Sequence, residues 1–200
     1  MLDLSRVGIL AFGSVVEEPG AELETVVTRR IGVQTPFPVE FARSSHTRDG
    51  APTLVPVGMG GAHIPAVILV LDEPVTVADA RAILYRRETR RPNDARTVAP
   101  VGWIAELPGF GGMSVCIYTA LEANISPPLT AEKLADLAVR SALGPAGASR
   151  RDGISYLHQQ KRRGIETPLT RQYEAVVLAR TNAQDLDEAW RSVRSGSVLA

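Results

Sequence analysis

A glutamate at the end of a predicted helix is the residue of this chain best placed for proton transfer. In the segment from Val77 to Glu88, the residues Val77, Ala80 and Leu84 follow one another at helical spacing, and Glu88 continues that stripe. The spacing therefore predicts that the carboxylate faces the core. Burial and the C-terminal end of a helix both disfavour a negative charge, so we expect a carboxyl that exchanges its proton near neutral pH. Such a group suits general acid–base catalysis.

The sequence leaves a second interpretation of Glu88 open. Thr76 is the predicted N-cap of this helix, but the position of its C-terminal end is less sharply marked. If the helix ends a residue or two earlier, Glu88 pairs in solvent with Arg87, Arg90 or Arg91 as an ordinary surface ion pair.

The segment Ala11–Val15 is the second candidate for chemistry. Gly13 directly follows an apolar run, and a glycine there allows a sharp turn in which successive backbone N–H groups point the same way and bind a carboxylate or phosphate. An ordinary turn explains the same Gly-Ser pair. Ser14 is not a persuasive nucleophile, because the G-x-S-x-G elbow of serine hydrolases is missing.

Composition narrows the classes of function. The chain has 200 residues, with 22 Lys plus Arg against 22 Asp plus Glu, so no overall charge attracts nucleic acid or an anionic membrane. Cys116 is the single cysteine, and His46, His63 and His158 lack metal-ligand spacing. We therefore expect no metal and no cofactor.

No apolar run is long enough to span a bilayer, and an acid stands among the first residues where a signal peptide carries bases, so we expect a cytoplasmic protein.

Apolar alternation and turn residues predict strands in the first two thirds of the chain and helices afterwards. The predicted strands are Val7–Phe12, Pro38–Ser45, Thr53–Val57, Ile64–Leu71, Val98–Leu107 and Ser114–Leu121. The predicted later helices are Thr130–Leu143, Asp152–Arg163, one opened by Thr167-Pro168, and a short one within Asp185–Ala200. These elements predict an α+β fold in a single domain, with a compact barrel or a strongly curved sheet over about 5–125 and a helical extension over about 130–195.

The order of these segments resembles that of the γ-glutamylcyclotransferases, and within them the ChaC-like branch. The family has an aromatic-Gly-Ser loop after the first strand and a Tyr/Leu-x-x-Arg-Glu sequence ending a short helix, which Phe12-Gly13-Ser14-Val15 and Leu84-Tyr85-Arg86-Arg87-Glu88 resemble. Further matching stretches are Phe41–Ser45, Arg48–Thr53, Ile117–Thr119, Ala138–Gly147, Tyr156-Leu157 and Arg163–Ile165. The resemblance covers most of the chain, from about Val7 to Leu178.

The resemblance implies a small mixed β-barrel with a helix between strands and a C-terminal helical extension. It also implies a lyase that releases 5-oxoproline from a γ-glutamyl peptide, with glutathione, which gives Cys-Gly, as the first candidate. Glu88 is then the general acid/base, and the backbone N–H groups of Gly13, Ser14 and Val15 hold the substrate α-carboxylate. Tyr118 donates or accepts a hydrogen bond within the pocket, or is simply a half-buried strand tyrosine.

The sequence departs from the family at two positions of the loop. Phe12 stands where the family commonly has tyrosine, so a hydroxyl is missing, and Val15 replaces the usual leucine or asparagine. Two alternatives to glutathione cleavage follow. One is a non-catalytic protein of the same fold that binds a small acid, and the other is a cyclotransferase for a different γ-glutamyl amine. The sequence does not predict an oligomeric state.

Overall fold

A computed structural model describes residues 6–90 and 102–196 of the chain. Its backbone divides into two compact units, each built from two separate stretches of sequence. The first unit comprises Met1–Pro36 and Pro65–Leu121, and the second comprises Phe37–Ile64 and Glu122–Ala200. The prediction of a single domain stays a prediction.

The first unit contains a five-stranded mixed sheet. Its strands are β1 Val7–Ala11, β2 Val27–Gln34, β5 Pro65–Leu71, β6 Ile104–Pro108 and β7 Val115–Thr119. They lie in the order β2-β5-β1-β7-β6, with β1 antiparallel to β5 and parallel to β7. Every residue of β1 is buried, as expected for an apolar strand with a neighbour on each side.

The described residues of the first unit form three α-helices, namely α1 Ser14–Glu17, α2 Ala21–Glu24 and α3 Val77–Thr89. Helix α3 packs its apolar stripe on one face of the sheet, where Ile9 of β1, Leu69 of β5 and Ile117 of β7 meet Ala80 and Leu84 in one hydrophobic cluster. All five of these side chains are fully buried. This contact fixes α3 along the sheet and so determines where its last turn lies.

The described strands do not close into the barrel that the sequence predicted. β2 pairs only with β5, and β6 pairs only with β7, so both remain edges of an open sheet. The prediction of a barrel is therefore wrong for residues 6–90 and 102–196. Closure depends on hydrogen bonds between strands distant in sequence, which the apolar pattern of each strand does not encode.

The described residues of the second unit combine a hairpin with five α-helices. The hairpin joins β3 Val39–Ser45 to β4 Ala51–Pro56, with Arg43 opposite Thr53 and Ser45 opposite Ala51. The helices are α4 Ala131–Leu143, α5 Pro145–Ala148, α6 Gly153–Arg162, α7 Thr170–Thr181 and α8 Leu186–Arg194. The hairpin holds the stretches Phe41–Ser45 and Arg48–Thr53 that contribute to the family resemblance.

Aromatic packing forms part of the core of the second unit. The ring of Phe41 on β3 meets Tyr156 of α6 and Tyr173 of α7 edge to face, at centroid distances of 6.2 and 5.5 Å. Phe41 and Tyr173 are fully buried. Strand β3 therefore belongs to the helical core of this unit, rather than to the five-stranded sheet.

None of the described helices combines the length and the apolar character needed to cross a membrane.

Candidate functional site

Helix α3 brings Glu88 to its last full turn, as the sequence predicted. The helix begins at a capping box, in which the Thr76 hydroxyl accepts from the N–H of Asp79 and the Asp79 carboxylate accepts from the N–H of Thr76. The pair also lowers the pKa of the Asp79 carboxyl through its hydrogen bonds with Thr76. The helix continues past Glu88 to Thr89 and ends at Arg90 in the left-handed conformation.

The Glu88 carboxylate is mostly buried and has two side-chain partners. Its Oε1 atom accepts from Nη1 of Arg87 at 2.6 Å and from the hydroxyl of Thr119 on β7 at 3.2 Å. The side chain is only 16% exposed. Each sequence interpretation is therefore partly right, since Glu88 lies on the core-facing stripe and also pairs with an arginine, though not in open solvent.

The other arginines proposed as partners of Glu88 are placed differently. Arg90 pairs instead with Glu18, at 3.2 Å from Nη2 to Oε2. Arg91 lies outside the described residues. Arg87 is thus the cation that the described structure places at Glu88.

The Phe12–Val15 segment forms a tight turn between β1 and α1. Gly13 has φ 57° and ψ −134°, and the N–H of Val15 points back to the carbonyl of Phe12 at 3.4 Å. These angles are those of the first central position of a type II′ turn, which favours glycine. The turn that the sequence predicted is present. The N–H of Val15, one of the three donors assigned to the substrate, is engaged within it.

The side chains of this turn have separate environments. Val15 is buried in the same hydrophobic cluster as Leu84, and Phe12 is also buried. The hydroxyl of Ser14 accepts from Nη2 of Arg87 at 3.2 Å. Arg87 therefore joins Ser14 of the turn to Glu88 of the helix, and the structure brings these two predicted site residues into one cluster.

Tyr118 is not brought to this cluster by the strand that carries it. Side chains alternate between the two faces of a strand. In β7, Ile117 and Thr119 therefore share one face, and Tyr118 lies on the other. Ile117 belongs to the α3-facing hydrophobic cluster, and Thr119 reaches Glu88. Tyr118 therefore faces away from α3. Partial burial raises the pKa of its phenol.

A cleft of about 390 Å³ lies beside this cluster in the first unit. Its walls come from residues 18–23, which span the segment from the end of α1 through α2, and from the last turns of α3. Leu23 and Ile83 give it an apolar floor, while Arg86 and Arg87 contribute charge. A bidentate pair with Glu22 raises the pKa of the Arg86 guanidinium. Arg87 is common to the cleft and to the Glu88 cluster.

Sequence reasoning missed the roles of Arg87 and Thr119. The alternation of side chains along β7 could have indicated the position of Thr119. Val115, Ile117 and Thr119 share one face, and Ile117, the most apolar residue of the strand, marks that face as the one directed at the core. Arg87 was considered only as a surface partner of Glu88. Nothing in its local sequence indicated that it also reaches Ser14 and the end of α1.

A fully buried glutamate of the second unit was also missed. Glu40 on β3 is 1% exposed and accepts hydrogen bonds from the N–H of Phe41, the hydroxyl of Thr167 and the N–H of Leu169. Burial raises the pKa of Glu40, although these hydrogen bonds oppose the shift. Its donors are all neutral groups of the protein, so it ties β3 to the segment before α7.

The described residues contain no group of three or more His, Cys, Asp or Glu side chains that could hold a metal ion.

Comparisons with protein-family models, with curated proteins and with solved structures find no match to this chain.

Proposed function

We propose that this protein is a γ-glutamylcyclotransferase that releases 5-oxoproline from a γ-glutamyl amine, with glutathione as the first substrate to test. The observation that carries the proposal is the cluster formed by Glu88, Arg87 and Ser14. It joins the candidate acid/base to the turn that the sequence resemblance assigns to substrate binding, although Ser14 and Glu88 are 74 positions apart in the chain.

The reaction needs proton transfer but no protein nucleophile. The α-amine of the substrate attacks its own γ-carbonyl carbon, a five-membered ring closes, and the bond from that carbon to the leaving nitrogen breaks. The α-ammonium first loses one proton to solvent, which gives the attacking amine. As that nitrogen bonds to the carbonyl carbon, Glu88 takes a second proton from it and passes this proton to the departing nitrogen, which leaves as an amine. A single carboxylate performs both transfers in sequence, so the atoms and charges balance without a second catalytic group.

The protein must also fold the flexible γ-glutamyl chain so that amine and carbonyl meet. Holding the two groups in a near-attack geometry removes much of the entropic barrier to ring closure. The turn at Gly13 and Ser14 is the proposed holder of the α-carboxylate, through backbone N–H groups. The cleft beside Arg87 gives the rest of the substrate a half-apolar surface.

One observation makes a non-catalytic role as a small-acid binding protein compatible with the buried position of Glu88. A buried carboxylate without a partner is costly, so an unpartnered Glu88 would have to be retained for a catalytic use. In the structure Arg87 and Thr119 supply partners for Glu88, so the carboxylate is stabilised whether or not it transfers protons. The two functions therefore differ in turnover, not in the burial of Glu88.

The direct test is product formation. The purified protein is incubated with glutathione and a panel of γ-glutamyl amines, and 5-oxoproline is measured by mass spectrometry. We expect product from at least one member, with the released amine in equal amount. Binding of γ-glutamyl compounds without any product supports the non-catalytic alternative.

A further inference from the structure

The guanidinium of Arg87 connects three separate parts of the first unit. Its Nη1 atom donates to Glu88 Oε1 at 2.6 Å, and its Nη2 atom donates to the Ser14 hydroxyl at 3.2 Å. Nη2 and Nε both donate to the carbonyl of Glu18, at 2.8 and 3.0 Å. All three nitrogens are thus engaged, with Nε and Nη2 converging on the Glu18 carbonyl and Nη1 directed at Glu88.

The environment of this group increases the effect of its hydrogen bonds. The Arg87 side chain is 12% exposed, so water competes little for its donors and the charge-assisted bond to Glu88 is weakly screened. The Glu18 carbonyl ends helix α1, whose first residue is Ser14. Arg87 therefore holds both ends of that short helix, and with them the turn at Gly13.

We propose that Arg87 is a positioning residue, which fixes the orientation of the Glu88 carboxylate and the distance between that carboxylate and the Gly13–Ser14 turn. The inference rests on the proposed cyclotransferase function. A reaction that closes a ring inside one bound substrate requires the proton acceptor and the carboxylate holder to keep a constant separation. A rigid guanidinium fork bonded to both supplies that constraint, whereas a lysine offers a single nitrogen and cannot span the same acceptors.

The expected kinetic signature separates positioning from binding. In Arg87→Lys and Arg87→Ala we expect kcat to fall by about 10- to 100-fold, the loss typical of small misplacements of reacting groups, while KM changes much less. Arg81→Ala is the matched control. Arg81 lies on the same helix and pairs with Glu106 at 2.7 Å, away from Glu88, and we expect this variant to keep the wild-type kcat.

Chemical rescue distinguishes positioning from a general structural role. Because Arg87 lines the cleft, its removal in Arg87→Ala leaves a space that a free guanidinium ion can reach. We expect guanidinium chloride, well below unfolding concentrations, to restore part of the lost kcat, and sodium chloride at equal ionic strength to restore none. A loss that follows the folded fraction and is not rescued overturns the proposal, as does an Arg87→Lys variant with wild-type kcat.

A stability measurement separates failure of this inference from failure of the proposed function. Arg87→Ala and Glu88→Gln, made singly and together, form a double-mutant cycle on the midpoint of urea unfolding. A non-additive shift shows that the two side chains are coupled, whether or not the protein is an enzyme. If the shift is non-additive but the wild type releases no 5-oxoproline, the missing product overturns the enzymatic function and the positioning role built on it, while the coupling stands. Additive shifts in an active enzyme overturn the positioning role alone.

Discussion

Glu88, whose side chain is 16% exposed, and Glu40, which is 1% exposed, are stabilised in different ways. Glu88 has a guanidinium and a hydroxyl as partners, whereas the donors at Glu40 are two backbone N–H groups and the Thr167 hydroxyl. The helical stripe predicted Glu88, because its apolar neighbours stand at regular spacing on one face. Glu40 lies between Val39 and Phe41, which are both buried, so no alternation of polar and apolar residues marked it.

The raised pKa of Glu40 predicts a pH-dependent contribution to stability. A carboxyl that binds its proton more tightly in the folded state stabilises the fold fully below the unfolded pKa of 4.5, and this stabilisation is lost as the pH rises through the folded pKa. In Glu40→Gln this dependence disappears. Urea unfolding of both proteins across that range should show the stability advantage of the wild type shrinking as the pH rises. A constant difference between the two proteins contradicts the predicted shift.

Elements defined by local signals were predictable from the sequence. Thr76 caps α3 as predicted, and Thr130 and Asp152, which open two of the predicted helices, cap α4 and α6. Each capping side chain lies within three residues of the N–H it accepts from, so the signal is local in the sequence. Strand β2 was not predicted. Its central residues Arg29 and Arg30 are exposed at the edge of the sheet, and the strand forms through pairing with β5 far along the chain.

The turn between β1 and α1 allows a matched pair of glycine substitutions. Gly13→Val places a β-branched residue at φ 57°, a conformation that costs such residues about 1–3 kcal/mol. We expect lower stability and weaker binding of γ-glutamyl ligands. Gly32→Val is the control, since Gly32 lies in edge strand β2 with no atom within 4 Å of an added Cβ. Calorimetric titration of both variants checks this, and unchanged affinity in Gly13→Val would show that the turn does not hold the substrate.

The chain passes from the first unit to the second and back before it ends in the second, so the two units are interleaved in sequence. The sequence patterns did not reveal this division. The predicted division placed all strands in a barrel before residue 125, because strand and helix patterns change character there. The structure instead groups Phe37–Ile64 with Glu122–Ala200. A hairpin cannot show by its own apolar pattern which surface it will cover, since Phe41 would serve a sheet or a helical bundle equally well.

This interleaving predicts the behaviour of a truncated chain. A fragment that ends at Leu121 keeps the hairpin of β3 and β4 but loses the helices that cover it, which exposes the apolar side chains Phe41, Leu54 and Val55. We expect the fragment to bind a hydrophobic dye and to unfold without the sharp transition of the full chain. A fragment with a cooperative urea transition and no dye binding would support an independent domain ending near residue 125.

The central claim is that Glu88 transfers the protons of ring closure. Its most direct test compares 5-oxoproline release by the wild type and by Glu88→Gln, which keeps the shape of the side chain but cannot accept the proton. Glu106→Gln is the control, because Glu106 lies on β6, is exposed and pairs with Arg81 rather than with a residue of the Glu88 cluster. We predict that Glu88→Gln keeps its fold and its ligand binding but loses turnover by several orders of magnitude, while the control retains it. Release of 5-oxoproline by Glu88→Gln at the wild-type rate would contradict the assignment.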